Sequence, residues 1–285
     1  MPRTAALRAL WGSSHPGPSL VVTALAVALG VAAGLPGWRL ALLTLAVFAG
    51  QLSVGISNDA IDAARDREVG RTDKPVARGD VSLRTAWVAA VALLLVALTL
   101  SVPLGAGMAV AHAVALASAW SYNAVLKNTP FSLAPFVVSF GLFPSLATLA
   151  AVPPQLAAPW ETIAGAALGA AVHLTNVLPD LDDDARTGVR GLPHRLGVRA
   201  SVVLAAAGIL IGAVAVLVGP AADAGAPVAA WSWLFFGAVA AVAAATLVLA
   251  LRRPPARVLF RLTMLAALLL AVQLVVAGLV GPPSG

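Results

Sequence analysis

Apolar residues gather in runs at approximately 19–35, 40–57, 83–102, 105–121, 132–151, 162–178, 200–219, 229–251 and 258–280. Each is near the roughly 20 residues that a helix needs to cross a bilayer. The breaks carry proline, glycine or charge, as at Leu35-Pro36-Gly37, Val102-Pro103, Val152-Pro153-Pro154, Gly219-Pro220 and Arg253-Pro254-Pro255. The pattern predicts an all-α, polytopic membrane helical bundle with nine transmembrane helices. The first run has the apolar core of a signal peptide, but its long polar leader and the lack of a clean cleavage signal favour a retained span.

Composition agrees. Hydrophobic residues make up 60% of the 285 positions and charged residues 11%, with a mean hydropathy of +0.93, which is membrane-protein composition. The chain has no cysteine, so disulfides, thiolate metal sites and thiol catalysis are excluded. A net charge of +6 raises the question of nucleic acid, but the basic residues sit in short loops between apolar runs, where they set topology against anionic lipid. With a cytoplasmic N-terminus, 17 of the 18 basic residues fall inside and only Arg39 falls outside. The positive-inside rule therefore predicts an integral protein of the cell membrane with its N-terminus and chemistry on the cytoplasmic side and its C-terminus outside. Only Glu161 and Asp223 among the acidic residues fall on the other side.

The polar stretch Asn58–Gly79 directly follows the second run. On a helix Asp59, Asp62 and Asp66 share one face, close to the negative end of the helix dipole. Such a row calls for a cation, and its hard oxygen ligands suit Mg²⁺ or Ca²⁺. A second row follows the sixth run, where Asp180 and Asp184 are four apart with Asp183 beside them. Asn176 and His173 continue that stripe into the membrane, and Pro179 is expected to kink the helix. The second and sixth runs end on the same side, so the two rows can face each other. Asp73, Asp80 and Asp182 read as solvated loop charges. Asp59, Asp62 and Asp180 abut apolar spans, where ionised groups mark sites. His15 and His194 read as loop residues and His112 as a structural histidine. Gln51 reads equally as an acceptor contact or as interhelical packing, and the tryptophans as an interfacial belt.

Asn58-Asp59-x-x-Asp62-x-x-x-Asp66-Arg67, followed by Arg71, Lys74-Pro75 and Gly79, resembles the first aspartate-rich signature of the UbiA superfamily of intramembrane prenyltransferases. Asn176-x-x-x-Asp180-x-x-x-Asp184, with Gly191-Leu192-Pro193 and Arg195-Leu196-Gly197, is similar to the second. Tyr122-Asn123-x-x-Leu126-Lys127 resembles the Tyr…Lys element between them. The resemblance covers essentially the whole chain and implies one domain over 1–285, nine helices around a central cavity. It implies that Mg²⁺ held by Asp59, Asp62, Asp66, Asp180 and Asp184 binds the diphosphate of an isoprenyl donor, with Asp183 an open alternative in the second row. Arg71, Lys74, Lys127 and Tyr122 are the implied catalytic residues, and Asn58, Asn176, His173 and Arg67 the substrate-binding ones. The implied reaction is prenyl transfer to a hydrophobic acceptor, aromatic or a quinone precursor, within the lipid bilayer and with no nucleic-acid partner. Two alternatives stay open: a terpene cyclase using the same ionisation, and a cation-coupled transporter, whose acids would sit nearer the midplane.

Overall fold

A computed structural model describes residues 3–252, 254 and 256–280. Arg253 and Pro255, part of the last break named above, lie outside the described residues. The described chain is helical and contains no strand. Its helices are α1 (Arg3–Ser13), α2 (Pro16–Ala32), α3 (Gly37–Glu68), α4 (Pro75–Arg78), α5 (Leu83–Ser101), α6 (Ala106–Ala124), α7 (Ala134–Leu149), α8 (Pro159–Val177), α9 (Leu181–Arg186), α10 (Leu192–Asp223), α11 (Ala230–Arg252) and α12 (Arg257–Val280).

Every apolar run lies on one of these helices, but among the described residues six helical segments are long and apolar enough to cross a bilayer. They are Gly37–Glu68, Leu83–Leu104, Pro159–Arg186, Leu192–Asp223, Ala230–Arg252 and Arg257–Leu279. A seventh results if α1 and α2, bent by 70° to each other, count as one span. The difference from the expected nine has physical causes. Helices α2 and α7 have 17 and 16 residues, short of a full crossing. Helix α6 is long enough, but His112, Ser118, Ser121, Tyr122 and Asn123 lower its apolarity.

Helix α3 packs on α2, α5 and α6, α7 lies between α6 and α8, and α12 touches both α8 and α2, closing a ring. Helices α5 and α11 and most of α10 back this ring from outside. Small residues set the closest approaches, as expected where helices pack without a hydrophobic drive from lipid. A Cβ at Gly165 of α8 would stand 2.2 Å from the Phe140 carbonyl oxygen of α7.

Nearly all the charge collects at one end of the bundle. At the other end, Asp223 accepts a hydrogen bond from the Trp160 indole (2.7 Å), and Arg39 donates to the Leu104 and Ala150 carbonyls. Asp223 and Glu161 thus lie away from the acidic rows, as the charge pattern predicts.

Candidate active site

Helix α3 ends in a Schellman turn. Gly70, at φ 70°, bonds to the Arg67 carbonyl, and the Arg71 N–H reaches back to the Asp66 carbonyl at 2.9 Å. This six-to-one closure needs a left-handed residue, which glycine supplies without steric cost. It folds the chain back so that Arg71 returns beside the acidic row. In the second row α8 stops at Val177. The chain then makes one 3₁₀ turn, Leu178–Asp180, before α9, because Pro179 lacks the N–H an α-helix would need. The expected kink at Pro179 is present as this break.

The rows meet at the charged end of a cavity of about 890 Å³. Asp62 and Asp66 line it from α3, and Asp180 and Asp184 from the broken end of α8 and from α9. Asn58, Asn176, Arg71, Lys74, Tyr122, Lys127 and His173 line it as well. Deeper in, the wall turns apolar, with Phe136, Phe140, Phe143 and Leu146. The Phe136 and Phe140 rings stack with centroids 6.4 Å apart.

Three of the four carboxylates have a cation within 4 Å, Asp66 most loosely, with Arg65 at 3.9 Å. Asp62 takes Lys127 on one oxygen and Arg65 on the other, the latter at 2.9 Å. Asp180 takes Arg71 at 3.3 Å, and Asp184 lies 3.5 Å from the His194 ring. Arg71 also forks onto Asp73 at 2.8 and 2.9 Å. That bidentate bond holds the Asp73 carboxyl well below the usual carboxylate range and raises the guanidinium further above its own. At Lys127 burial outweighs the attraction of Asp62 and pushes the ammonium below the ordinary lysine range.

Asn123 donates to the Val54 carbonyl at 2.9 Å and to Ser57, and its own oxygen accepts from Asn58 Nδ2 at 3.3 Å. The Asn58 amide is thereby oriented with its oxygen free. His173 is 1% exposed. Ser132 Oγ accepts the Leu192 N–H and lies within hydrogen-bond distance, 3.0 Å, of His173 Nε2. His173 Nδ1 is buried and has no partner. The His173 ring packs against Tyr122 and Phe136, with centroids 5.5 and 4.7 Å away.

Two predicted site residues fall elsewhere. Asp59 is 1% exposed and is not on the cavity lining. Its Oδ1 takes Lys74 at 2.6 Å and His15 at 3.1 Å. At about 100° per residue it stands a quarter-turn from Asn58 around α3, facing the bend between α1 and α2. Arg67 donates to the Ala77 and Val76 carbonyls at 3.0 and 3.3 Å. It therefore braces α4 and is not on the cavity lining. The open choice in the second row also narrows. Asp183 pairs outward with Arg186, and Asp180 and Asp184 face the cavity. His15 and His194, read as loop residues, both line it. Arg65, Arg257 and Arg261 join them, and position in the sequence alone did not mark these arginines.

Among the described residues no three acids or histidines converge tightly enough to hold an ion as they stand, because the cations just described lie among them. The donor set nonetheless fits Mg²⁺. It is all oxygen, drawn from Asp62, Asp66, Asp180, Asp184 and the free amide oxygen of Asn58, and Asp66 Oδ2 is buried without any partner. Hard, oxygen-rich sets of this kind suit Mg²⁺ bound together with a phosphate.

A model of the UbiA prenyltransferase family matches residues 19–268. No curated protein matches significantly by sequence. Among solved structures, an apo UbiA homologue from Aeropyrum pernix K1 superposes with a TM-score of 0.74 at 18% identity, over 91% of this chain and 98% of that one. A UbiA homologue from Archaeoglobus fulgidus bound to GPP and Mg²⁺ gives 0.68 at 15% identity, over 95% and 100%. A digeranylgeranylglyceryl phosphate synthase gives 0.71 at 14%, over 96% and 98%. At these identities the structural likeness is one of fold. The sequence match spans most of the chain, including both acidic rows and the Tyr122–Lys127 element between them, and on that ground this protein belongs to the UbiA prenyltransferase family.

Proposed function

We propose that this chain is an integral membrane prenyltransferase that moves an isoprenyl group from its diphosphate to a hydrophobic, aromatic or quinone-like acceptor, with Mg²⁺ as cofactor. The observation that carries the reading is the shared cavity: Asp62, Asp66, Asp180 and Asp184 gather at one end and the Phe136–Phe140–Phe143 wall occupies the other. One end suits a metal-bound polyanion and the other a prenyl tail. The related proteins from Archaeoglobus fulgidus bound to GPP or DMAPP with Mg²⁺ lend support.

Bound between the rows, Mg²⁺ supplies the positive charge that lets a diphosphate approach carboxylates and depart from carbon. The chain's own groups do the rest. Lys74, Lys127 and Arg71 direct charge-assisted hydrogen bonds at the diphosphate oxygens, strongest as negative charge collects there during departure. When the diphosphate takes its place, Lys127 exchanges part of its bond to Asp62 for one to phosphate. The faces of Tyr122 and Phe136 offer negative quadrupole to a positively charged allylic carbon. The apolar depth keeps water from capturing it.

In this reading the chain is one domain crossing the membrane nine times, with α2, α6 and α7 completing the six longer spans. The N-terminus and the acidic rows lie on the cytoplasmic side and the C-terminus outside, from the one-sided distribution of Arg and Lys. The test is to incubate purified protein with labelled geranyl diphosphate and Mg²⁺, with and without a panel of phenols and quinone precursors. Label transferred to an added acceptor supports the transferase. Label found in a cyclic hydrocarbon or cyclic alcohol without acceptor means a cyclase, and no pyrophosphate release under any condition refutes both.

A further inference from the structure

His15 is the only non-glycine residue with positive φ among the described residues, at φ 53° and ψ 65°. A left-handed conformation at a residue of this size costs energy, and such strain persists only where the surroundings enforce it. Here the enforcement is visible. His15 lies at the 70° bend between α1 and α2, and the chain at this bend is pressed against α3. A Cβ on Gly55 would stand 2.4 Å from the Ser14 carbonyl oxygen, and one on Gly12 would stand 3.0 Å from the Pro75 ring. The bend is thus docked on α3 on one side and on the Lys74-Pro75 turn on the other.

The docking delivers one imidazole. His15 Nε2 is 3.1 Å from Asp59 Oδ1 and 3.2 Å from Lys74 Nζ, and Lys74 Nζ is 2.6 Å from the same Asp59 oxygen. Lys74 and His15 line the cavity, whereas Asp59 stands behind them. A lysine stem is flexible, so an ammonium at a cavity wall is diffuse unless something fixes it. Asp59 supplies an anchoring charge on one side, and His15 Nε2 accepts from the ammonium on another, so both grip Lys74 and not each other.

We propose that His15 is a positioning residue of the donor site: with the buried Asp59 carboxylate behind, it holds the Lys74 ammonium at the cavity wall in register with the diphosphate. The N-terminal bend is then a working part of the site, and Asp59 serves Lys74 and not the metal. This inference rests on the donor-binding reading above.

The experiment compares wild type with His15→Gly, His15→Asn and Gly55→Ala in full-length protein. Glycine adopts the left-handed conformation without strain and deletes only the imidazole. Asparagine tolerates that conformation and keeps a polar head. Gly55→Ala moves the bend without touching a charged group. The readouts are KM and kcat for geranyl diphosphate with Mg²⁺, and the melting temperature. His15→Gly is expected to raise KM about five- to tenfold, the scale of a weakened charge-assisted contact, with kcat changed less than KM and no drop in melting temperature. His15→Asn restores much of the loss, and Gly55→Ala shares it. Wild-type KM in His15→Gly overturns this inference alone. A wild-type protein that neither binds nor consumes geranyl diphosphate overturns it together with the reading on which it rests.

Discussion

The Arg71 guanidinium stands 3.3 Å from the Asp180 carboxylate, across a sequence separation of 109 residues. It is the direct bond between the loop after the first acidic row and the second row. Because the Schellman turn at Gly70 fixes where Arg71 begins, the link between the rows depends on how one helix ends. Arg71→Ala is expected to lower kcat/KM for the prenyl diphosphate by about a hundredfold, as loss of a charge-assisted donor to the leaving group does. Arg71→Lys, which keeps the charge but loses the fork onto Asp73, is expected to recover only part of it. Steady-state kinetics of pyrophosphate release measures both.

Lys127 gives a pH dependence with a definite sign. Burial holds its ammonium below the ordinary lysine range of about 10.4, and the neutral amine lacks the charge that the diphosphate needs. So kcat/KM, which reports the free enzyme, is expected to fall as pH rises through a pKa lower than that of an ordinary lysine. Arg71, raised above its already high range, does not contribute to that limb. Lys127→Arg is expected to move the limb to higher pH, since arginine stays protonated. A pH profile of the two proteins decides it.

Metal removal is expected to abolish turnover. Chelation by EDTA stops pyrophosphate release, and Mg²⁺ restores it. Mn²⁺, which shares the preference for oxygen ligands, restores at least part of it.

The bundle itself can be probed at two glycines. Gly165→Ala places a Cβ against the Phe140 carbonyl oxygen and must push α7 from α8, at about 1–3 kcal/mol. Gly237→Ala on α11 meets nothing within 4 Å and is expected to be neutral or to gain up to about 1 kcal/mol of helix propensity. Thermal unfolding in detergent should separate the two variants in that order.

Much of this was legible in the chain because the signals are local. Apolar runs fix the helices, and the four-residue spacing of Asn58, Asp62 and Asp66, repeated in Asn176, Asp180 and Asp184, fixes which side chains share a face. What the spacing could not separate is Asp59 from that row. It lies on nearly the same helical face as Asp66, but about 10 Å further along the axis, where the bend at His15 covers it. His15 and His194 look like loop residues because their partners, Asp59 and Asp184, come from other elements. Arg67 carries the same charge as Arg71, and only the fold shows that it turns to the backbone of α4. Six long apolar segments stand where nine spans are expected because α2 and α7 are short and polar residues lower the apolarity of α6.

The central claim is that Asp62 and Asp180 act on one diphosphate. The direct measurement is Mg²⁺-dependent pyrophosphate release from geranyl diphosphate by wild type, Asp62→Asn, Asp180→Asn and Asp182→Asn, the last an exposed neighbour outside the cavity. The account predicts release by wild type and Asp182→Asn at similar rates, and a loss of at least about a hundredfold in each of the other two. Wild-type rates in either Asp62→Asn or Asp180→Asn would contradict it.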